Sequence, residues 1–257
     1  MFARALIITI GLLVLTTGVA AAAPTVPWTL VETRPHDATA YTQGLVAYRG
    51  VLLESTGLLG QSTVRRVDAT TGQVLALRPL VANEYGEGLT VLAGSATQLT
   101  WTQRVLHTYD PTTLAVTGTR RYRFEGWGLT TNGRQLIASD GSATLRWLDP
   151  STLRVTKTVT VTDEGAAIYD LNELEYRDGI IWANVWRSDR IALIDPATGK
   201  VRAWLNMARL RQRLSVPGDV FNGIARDPVT DHMVVTGKCW PQLFVIKLAD
   251  RVPAAPH

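Results

Sequence analysis

The chain has 257 residues, of which 46% are hydrophobic and 19% are charged, with 21 glycines and 12 prolines. This composition is that of a globular protein and excludes a disordered chain or a collagen-like fibre. The formal net charge is +4, but the basic residues are scattered and form no run of about five or six, as a nucleic-acid-binding arm would. Nucleic acid is therefore not expected as a partner.

The cysteine and histidine content argues against disulfides and metal sites. The single cysteine, Cys239, excludes an intramolecular disulfide and any multi-cysteine zinc or iron–sulfur site. The histidines stand far apart, without a local metal-binding spacing, at His36, His107, His232 and His257. We therefore expect no metal site.

Residues 1–23 are typical of a secretory signal peptide. Arg4 precedes an apolar stretch, residues 5–15, and small residues follow through Ala23. The alternative is an uncleaved membrane anchor, but the apolar stretch is shorter than the roughly 20 residues that a spanning helix needs. We expect cleavage, export to the periplasm or the medium, no membrane attachment afterwards, and a single domain over residues 24–257.

A strand-like segment that ends in aspartate and a turn recurs along the chain. Four copies carry the aspartate, at Asp68, Asp110, Asp149 and Asp195, with spacings of 42, 39 and 46 residues. In each turn we expect the Asp side chain to accept backbone N–H groups. An alternating segment follows each turn, such as residues 154–161. A fifth copy, residues 243–247, lacks the turn.

A second repeated element also occurs five times. Its copies are Gln43-Gly44-Leu45, Glu87-Gly88-Leu89, Trp127-Gly128-Leu129, Asn172-Glu173-Leu174 and Asn222-Gly223-Ile224. Between the two elements each copy carries a further apolar, alternating segment, at residues 51–54, 98–102, 135–139, 180–185 and 232–236. Each unit therefore contains four strand-like segments.

Four short strands per unit of roughly 40 to 50 residues, repeated five times, predict an all-β, five-bladed β-propeller. Outer strands after the Asp turns number only four, while a strand-like segment, residues 28–33, stands unassigned at the N-terminus. If this N-terminal segment supplies the outer strand of the last blade, the ring closes without an open edge. An open β-sandwich is the alternative, but it does not explain five copies. Residues 206–217 show helical spacing and predict a short helix.

The first strand of each propeller blade faces the central channel, so the position before the Gly-Leu step converges from all blades. This position holds Gln43, Glu87, Trp127, Asn172 and Asn222, whereas a ring built for packing would favour aliphatic residues. Glu87 is the one carboxylate at this position, and apolar walls would raise its pKa, which makes it a candidate general acid/base. Alternatively, these polar groups satisfy backbone groups and water in a wet channel.

Aromatic residues are placed near the same end of the channel. Those predicted to line a pocket are Tyr41, Tyr85, Trp101, Trp127 and Trp186. Trp147 and Trp182 alternate inward and are expected to pack in the core. Lys238 follows the second strand of the last blade and is a candidate to hold an oxygen atom, although a surface lysine is the ordinary case. Cys239 is expected to be a small buried residue without a catalytic role.

These segments resemble a known family when they are taken together. The matching stretches are Pro35-His36-Asp37, Tyr41 to Leu45, Tyr85 to Thr90, Gly126 to Thr130, Leu171 to Glu175, Ile181 to Trp186 and Phe221 to Ala225. They look like the plant and bacterial type of glutamine cyclotransferase, also called glutaminyl-peptide cyclotransferase. The resemblance covers nearly all of residues 28–247, and its motifs are specific in combination.

The resemblance implies a five-bladed propeller that converts the N-terminal glutaminyl residue of a peptide or protein into pyroglutamate and releases ammonia, without a catalytic metal. The family's acid/base glutamate falls on Glu87. Its substrate-binding and oxyanion-stabilising positions fall on Gln43, Trp127, Asn172 and Lys238, and its aromatic pocket falls on Tyr85, Trp101 and Trp186. Tyr41 and Tyr85 stand where phenylalanine is expected in plant relatives. We also expect Asn222 to contact substrate, and the enzyme to be a monomer.

The chemistry of cyclisation agrees with this assignment. The attacking α-amine must be neutral, but an α-ammonium has a pKa near roughly 8, so a base must take its proton. Two other functions remain as hypotheses. One is a non-catalytic propeller that binds a peptide or partner protein at the channel mouth, and the other is a metal-dependent, lactonase-like propeller. The latter would need several channel carboxylates, where the converging position offers only Glu87.

Overall fold

The computed structural model describes residues 22–249 and 252–253. The predicted signal peptide, residues 1–23, lies outside the described residues apart from its last two. Within the described part of the chain, the regular structure consists of five four-stranded antiparallel sheets, a two-stranded hairpin and one short helix. The sheets are the five blades of a β-propeller, which confirms the predicted fold.

The strands follow one another blade by blade along the chain, after an N-terminal strand, β1 (Trp28–Pro35). Blade 1 contains β2 (Thr42–Tyr48), β3 (Val51–Thr56), β4 (Thr63–Asp68) and β5 (Val74–Pro79), and blade 2 contains β6 (Gly86–Leu92), β7 (Ser95–Thr100), β8 (Val105–Tyr109) and β9 (Val116–Arg121). Blade 3 contains β10 (Leu129–Thr131), β11 (Leu136–Ala138), β12 (Thr144–Leu148) and β13 (Val155–Thr160), and the hairpin of β14 (Thr162–Asp163) and β15 (Ala166–Ala167) follows. Blade 4 contains β16 (Leu171–Arg177), β17 (Ile180–Val185), β18 (Arg190–Ile194) and β19 (Val201–Asn206). The helix α1 (Ala208–Arg211) precedes β20 (Phe221–Arg226), β21 (Met233–Gly237) and β22 (Gln242–Leu248) of blade 5.

Strand β1 closes the ring as predicted. It pairs antiparallel with β22 and is the outer strand of blade 5. Arg34 of β1 stabilises this arrangement, because its guanidinium donates to both carboxylate oxygens of Asp227, at 2.8 and 3.0 Å. A buried bidentate pair of this kind fixes both the position and the angle of the strand. Strand β22 is therefore not an edge strand, and blade 5 has four strands like the other blades.

A basic side chain on the outer strand of each blade donates to a backbone carbonyl beyond that blade. Arg120 of blade 2 reaches Pro150 and Ser151, both at 2.8 Å, and Lys157 of blade 3 reaches Pro196 at 2.7 Å. The other bonds of this set are Arg78 to Leu114, Arg34 to Ala69 at 3.0 Å, and Arg202 to Pro253 at 2.7 Å. Four of the five basic side chains therefore reach the Asp turn of the next blade. Arg202 of blade 4 instead reaches Pro253, in the short described segment 252–253 that follows β22 in the sequence.

The four predicted Asp turns form as expected. In each, one carboxylate oxygen accepts the backbone N–H groups two and three residues further along. At Asp149 the hydrogen bonds from the Ser151 and Thr152 hydroxyls, together with these backbone bonds, lower the pKa to about 2. The repeated aspartate is thus explained by local turn chemistry.

The inner strands β2, β6, β10, β16 and β20 contact one another around the channel. Their glycines allow close approach of neighbouring backbones. A Cβ atom on Gly88 would lie 2.4 Å from the Leu129 nitrogen, and one on Gly128 would lie 1.9 Å from the Asn172 oxygen. Blade 4 departs from this pattern, because Glu173 stands where the other blades have glycine. The core lies between adjacent blades, and it includes Trp147 and Trp182, as expected.

The predicted helix at residues 206–217 is much shorter than its apolar spacing indicated. Only α1 is helical, and its single turn brings Met207 and Leu210 into the core between blades 4 and 5. Leu214 packs against the same cluster from a non-helical segment. The chain then reaches Pro217, which disfavours helix in the residue before it. None of the helical structure in the described residues is long and apolar enough to cross a membrane.

Candidate active site

A cavity of about 170 Å³ opens at the end of the channel where the inner strands begin. Its walls come from the residues just before or at the start of the first strands and from the loops that follow the second strands. It is lined by Tyr41, Gln43, Tyr85, Glu87, Trp101, Trp127, Asn172, Trp186 and Lys238. The structure thus brings together nine of the ten predicted site residues.

Glu87 is the acidic group of this cavity. Its side chain is buried, with 5% of the residue exposed, and one carboxylate oxygen accepts a hydrogen bond from Gln43 Nε2 at 3.2 Å. Burial raises the pKa of Glu87 well above its usual range; the Lys238 charge opposes this shift, and the Glu125 charge adds to it. A carboxyl group whose pKa is raised is a stronger base when ionised, and it keeps its proton to higher pH, so it can also act as an acid.

Lys238 forms another part of the wall, on the loop after β21. It is buried, and its Nζ lies 4.7 Å from the centroid of the Tyr41 ring. Burial lowers the pKa of Lys238, while the nearby Glu87 carboxylate opposes this shift. Backbone bonds hold the loop in place, since Lys238 N donates to Val220 O at 2.9 Å and Cys239 N donates to Ala40 O at 2.7 Å. Blade 5 and blade 1 therefore meet at the cavity.

Cys239 is only half-buried, so the expectation of a buried cysteine was wrong. It sits in a turn with a φ of 57°, which holds the residue at the surface of the loop instead of in a strand. Burial also raises the pKa of its thiol, which disfavours the reactive thiolate.

The amides of Gln43, Asn172 and Asn222 occupy different layers. Asn172 faces the cavity, and its Oδ1 is buried without a hydrogen-bond partner among the described residues. Asn222 does not reach the cavity wall, so its predicted contact with substrate is not supported by its position. Its Nδ2 instead donates to Thr42 O at 3.0 Å and to Gln43 Oε1 at 3.4 Å. Asn222 therefore orients Gln43, which in turn donates to Glu87.

The aromatic residues form two pairs. Tyr85 and Trp101 have ring centroids 5.6 Å apart, and Trp127 and Trp186 meet edge to face at 5.6 Å. Glu125, which sequence reasoning missed, joins the pairs: its Oε1 accepts the indole N–H of Trp127 at 2.9 Å and that of Trp101.

A signal for Glu125 was present in the repeat. The position two residues before each converging residue holds Tyr41, Tyr85, Glu125, Asp170 and Val220. Since Tyr41 and Tyr85 were expected to line the pocket from this position, Glu125 could have been included with them.

Glu173 and Glu175 lie deeper along the inner strand of blade 4, and we call them the channel floor. Glu173 accepts the backbone N–H groups of Leu45 at 3.3 Å and Ile224 at 2.8 Å, which belong to blades 1 and 5. Burial raises the pKa of Glu173, and burial also raises that of Glu175, to about 8. Glu87 is thus not the only buried carboxyl group of the channel. Sequence reasoning missed Glu173 because the repeat predicted glycine at its position.

A buried histidine–glutamate pair, His36 and Glu54, lies next to the segments that carry the cavity residues Gln43 and Lys238. His36 Nδ1 lies 2.8 Å from the Trp240 carbonyl and Nε2 lies 3.0 Å from Glu54 Oε1. The Trp240 carbonyl and the Glu54 carboxylate are both hydrogen-bond acceptors, an arrangement that favours the imidazolium form of His36, with hydrogen on both ring nitrogens. Burial disfavours the charged ring, but the charge of Glu54 and its hydrogen bond outweigh burial, and the pKa of His36 is raised. Burial likewise disfavours the Glu54 carboxylate, but the His36 charge and hydrogen bond prevail and lower its pKa. Thr42, next to Gln43, donates to the same Glu54 oxygen at 2.7 Å.

Across residues 22–249 and 252–253, no group of three or more His, Cys, Asp or Glu side chains is arranged to hold a metal ion.

Comparison with known proteins places this arrangement among enzymes. A family model described as glutamine cyclotransferase matches residues 5–248. The glutaminyl-peptide cyclotransferase of Arabidopsis thaliana is 44% identical over 220 residues, which cover 83% of this chain and 69% of the plant protein. The crystal structure of Myxococcus xanthus glutaminyl cyclase matches with a TM-score of 0.82 and 34% identity, and the match covers 88% of this chain and 98% of that one.

Proposed function

This chain belongs to the glutamine cyclotransferase family, and we propose that it acts as a metal-independent glutaminyl-peptide cyclotransferase in which Glu87 carries the proton. The observation that supports this proposal is a buried carboxyl group with a raised pKa in a small, aromatic-walled cavity. A peptide enters with its N-terminal glutaminyl residue, and the reaction forms a five-membered lactam and ammonia.

The first chemical task is to make the substrate amine nucleophilic. Ionised Glu87 takes a proton from the α-ammonium, whose pKa is roughly 8 in peptides. The neutral nitrogen then attacks the side-chain amide carbon, a C–N bond forms, and the carbonyl electron pair moves to oxygen. Because the nucleophile belongs to the substrate itself, the cavity needs only to hold the folded conformer and move protons.

The second task is to stabilise the oxyanion. Donors held in place before the reaction are worth most at this point. The cation of Lys238 and the amide of Asn172 are the groups for this role. The Trp127 N–H, which the sequence also suggested, is engaged with Glu125, so Trp127 contributes its ring surface instead.

Collapse of the intermediate completes the reaction. Protonated Glu87 gives its proton to the departing nitrogen, the C–N bond to that nitrogen breaks, and the electron pair on oxygen restores the carbonyl. The lactam nitrogen loses its remaining extra proton to Glu87, which passes it to the departing ammonia. Glu87 is then ionised again and an ammonium ion leaves. No redox step or cofactor enters this sequence.

The test is ammonia release from a synthetic peptide with N-terminal Gln, measured with and without EDTA. An N-acetylated copy of the peptide, which lacks the nucleophile, is the substrate control. We expect the wild-type protein to release ammonia in EDTA, and the peptide to lose a mass equal to ammonia. We expect the Glu87→Gln variant to fold and show no turnover, and Glu164→Ala, at an exposed site, to match wild type. Loss of activity in EDTA, restored by a metal, would overturn metal independence.

Peptide binding without ammonia release would instead support a non-catalytic propeller. We also propose that residues 1–23 are removed on export and that the mature enzyme is a monomer. Intact mass of the protein recovered from outside the cytoplasm tests the first point, and sedimentation tests the second.

A further inference from the structure

Glu125 lies at the cavity rim and contacts neither Glu87 nor Lys238 by hydrogen bonds in the described structure. Its Oε1 accepts two indole N–H groups, from Trp101 on the loop after β7 and from Trp127, two residues before β10. Both indoles line the cavity. One carboxylate oxygen therefore connects side chains from two blades.

The backbone around Glu125 is fixed by close packing. A Cβ atom on Gly126 would lie 2.1 Å from the Tyr122 hydroxyl and 3.1 Å from the Thr100 carbonyl oxygen. Tyr122 is itself buried, and its hydroxyl donates to Thr100 O. The segment is thus pressed against blade 2, and the Glu125 carboxylate is held where both indoles can reach it.

The two indole rings differ in how far contacts other than the Glu125 hydrogen bond hold them in place. Trp101 is 38% exposed, and its ring has Tyr85 on one side at 5.6 Å. Trp127 is more enclosed, because it packs against Trp186, and the Gly141 backbone approaches its ring. Without Glu125, the Trp101 N–H would turn to solvent and the exposed ring would be free to change rotamer.

We propose that Glu125 is a positioning residue for the proposed cyclisation: its Oε1 joins the Tyr85–Trp101 pair and the Trp127–Trp186 pair into one wall that orients the glutaminyl substrate. This inference rests on the proposed function. The hydrogen-bond acceptor, not the negative charge, is the property that orients the wall. The charge has a separate effect, because it raises the pKa of Glu87.

Two variants separate these properties. Glu125→Gln keeps an acceptor oxygen and removes the charge, whereas Glu125→Ala removes both. We expect Glu125→Gln to keep kcat/KM near its optimum pH within about threefold of wild type, and Glu125→Ala to lose roughly tenfold to hundredfold, chiefly through KM, as loss of a charge-assisted hydrogen bond predicts. Glu164→Ala is again the matched control at an exposed carboxylate.

The pH profile supplies a readout that a purely structural role would not change. Removal of the Glu125 charge lowers the pKa of Glu87, so the acidic limb of kcat/KM moves to lower pH in both variants. Equal losses in Glu125→Gln and Glu125→Ala would overturn the proposal, since charge would then be the working property. Wild-type kinetics in Glu125→Ala would overturn it as well.

A measurement independent of turnover keeps this inference separate from the proposed function. In protein with ¹⁵N-labelled tryptophan, the indole N–H resonances of Trp101 and Trp127 are assigned with Trp101→Phe and Trp127→Phe. We expect both resonances to move upfield and exchange faster with water in Glu125→Ala, and to stay near their wild-type positions in Glu125→Gln. Unchanged resonances in Glu125→Ala would show that Glu125 does not hold the two indoles, whatever reaction the protein performs. If Glu125 does hold the indoles but no ammonia is released, the proposed function fails instead.

Discussion

Glu87 at the cavity and Glu173 in the channel floor are both buried carboxyl groups on inner strands, and burial raises the pKa of each. Their surroundings differ in the donors that they meet. Glu173 accepts two backbone N–H groups, which cannot move away, and its residue has no exposed surface. Glu87 accepts one side-chain amide and keeps contact with the cavity.

This difference separates a carboxyl group that can react from one that holds blades together. A proton carrier must be able to lose and regain its proton while a substrate lies beside it. A carboxyl group fixed by backbone donors from two other blades is committed to those donors in every state. Burial and a raised pKa are therefore not sufficient marks of a catalytic acid; access to a cavity is also needed.

The largest expected effect is the loss of turnover on replacement of the reactive group. In Glu87→Gln the hydrogen bond from Gln43 can persist after rotation of the amide, so the fold should remain. Ammonia release should fall by at least roughly 10²- to 10⁴-fold, which is the range for loss of a general acid/base. Activity near wild type would remove Glu87 from the proposed mechanism.

The reverse pattern is expected at the channel floor. Glu173→Ala leaves the N–H groups of Leu45 and Ile224 buried without an acceptor, and each such group costs about 1–3 kcal/mol. We expect the free energy of unfolding in urea to fall by about 4 kcal/mol, while kcat of the remaining folded protein changes little. A large loss of kcat at unchanged stability would contradict the comparison.

Glu54 is a third buried carboxyl group to compare with Glu87 and Glu173. Despite its burial, its pKa is lowered instead of raised, because the charged His36 ring lies beside it. The stability that comes from the raised pKa of His36 is present at low pH and is lost as pH rises through the folded-state pKa. The stability from the lowered pKa of Glu54 is lost as pH falls through its folded-state pKa. We expect His36→Gln to lower the free energy of unfolding by about 3 kcal/mol at neutral pH and to flatten its decline as pH rises through the folded-state pKa of His36. Parallel pH profiles for the two proteins would contradict this assignment.

The smallest expected effect is a shift in the pH profile of the activity that remains after Lys238, the proposed oxyanion stabiliser, is replaced. The Lys238 cation lowers the pKa of Glu87, so Lys238→Met should raise it further. Because Glu87 must be ionised to accept the proton, the acidic limb of kcat/KM should move to higher pH, opposite to the shift expected for Glu125→Gln. The residual activity of Lys238→Met must be measured across pH, and a shift in the same direction for both variants would refute the electrostatic account.

Much of the fold could be predicted because the chain repeats itself. The Asp turns and the Gly-Leu steps each encode a local geometry, and the count of outer strands required the N-terminal segment to close the ring. Helix α1 could not be bounded in the same way, since Met207, Leu210 and Leu214 reach one core cluster although only part of the segment is helical.

The site could be predicted where the repeat carried the information. Converging positions identified Glu87 and Asn172 as cavity residues, but also placed Asn222 there, because the repeat does not specify how deep a side chain reaches. The pairing of His36 with Glu54, and of Glu125 with two indoles, depends on contacts between distant segments that leave no periodic trace. Such contacts become visible only in three dimensions.

The closure of the ring by β1 also bears on the order of folding events. Strand β1 can pair only after β22 has been synthesised. The pairing of Trp28 with Leu248 joins segments that are far apart in the sequence, and such pairings raise the contact order of the fold. The same junction brings the Lys238 Nζ atom over the Tyr41 ring. During synthesis, blades 1 to 4, each built from consecutive strands, can form before blade 5 is made, but the cavity cannot. The cavity of the proposed reaction is therefore completed only late in folding, when β1 has paired with β22.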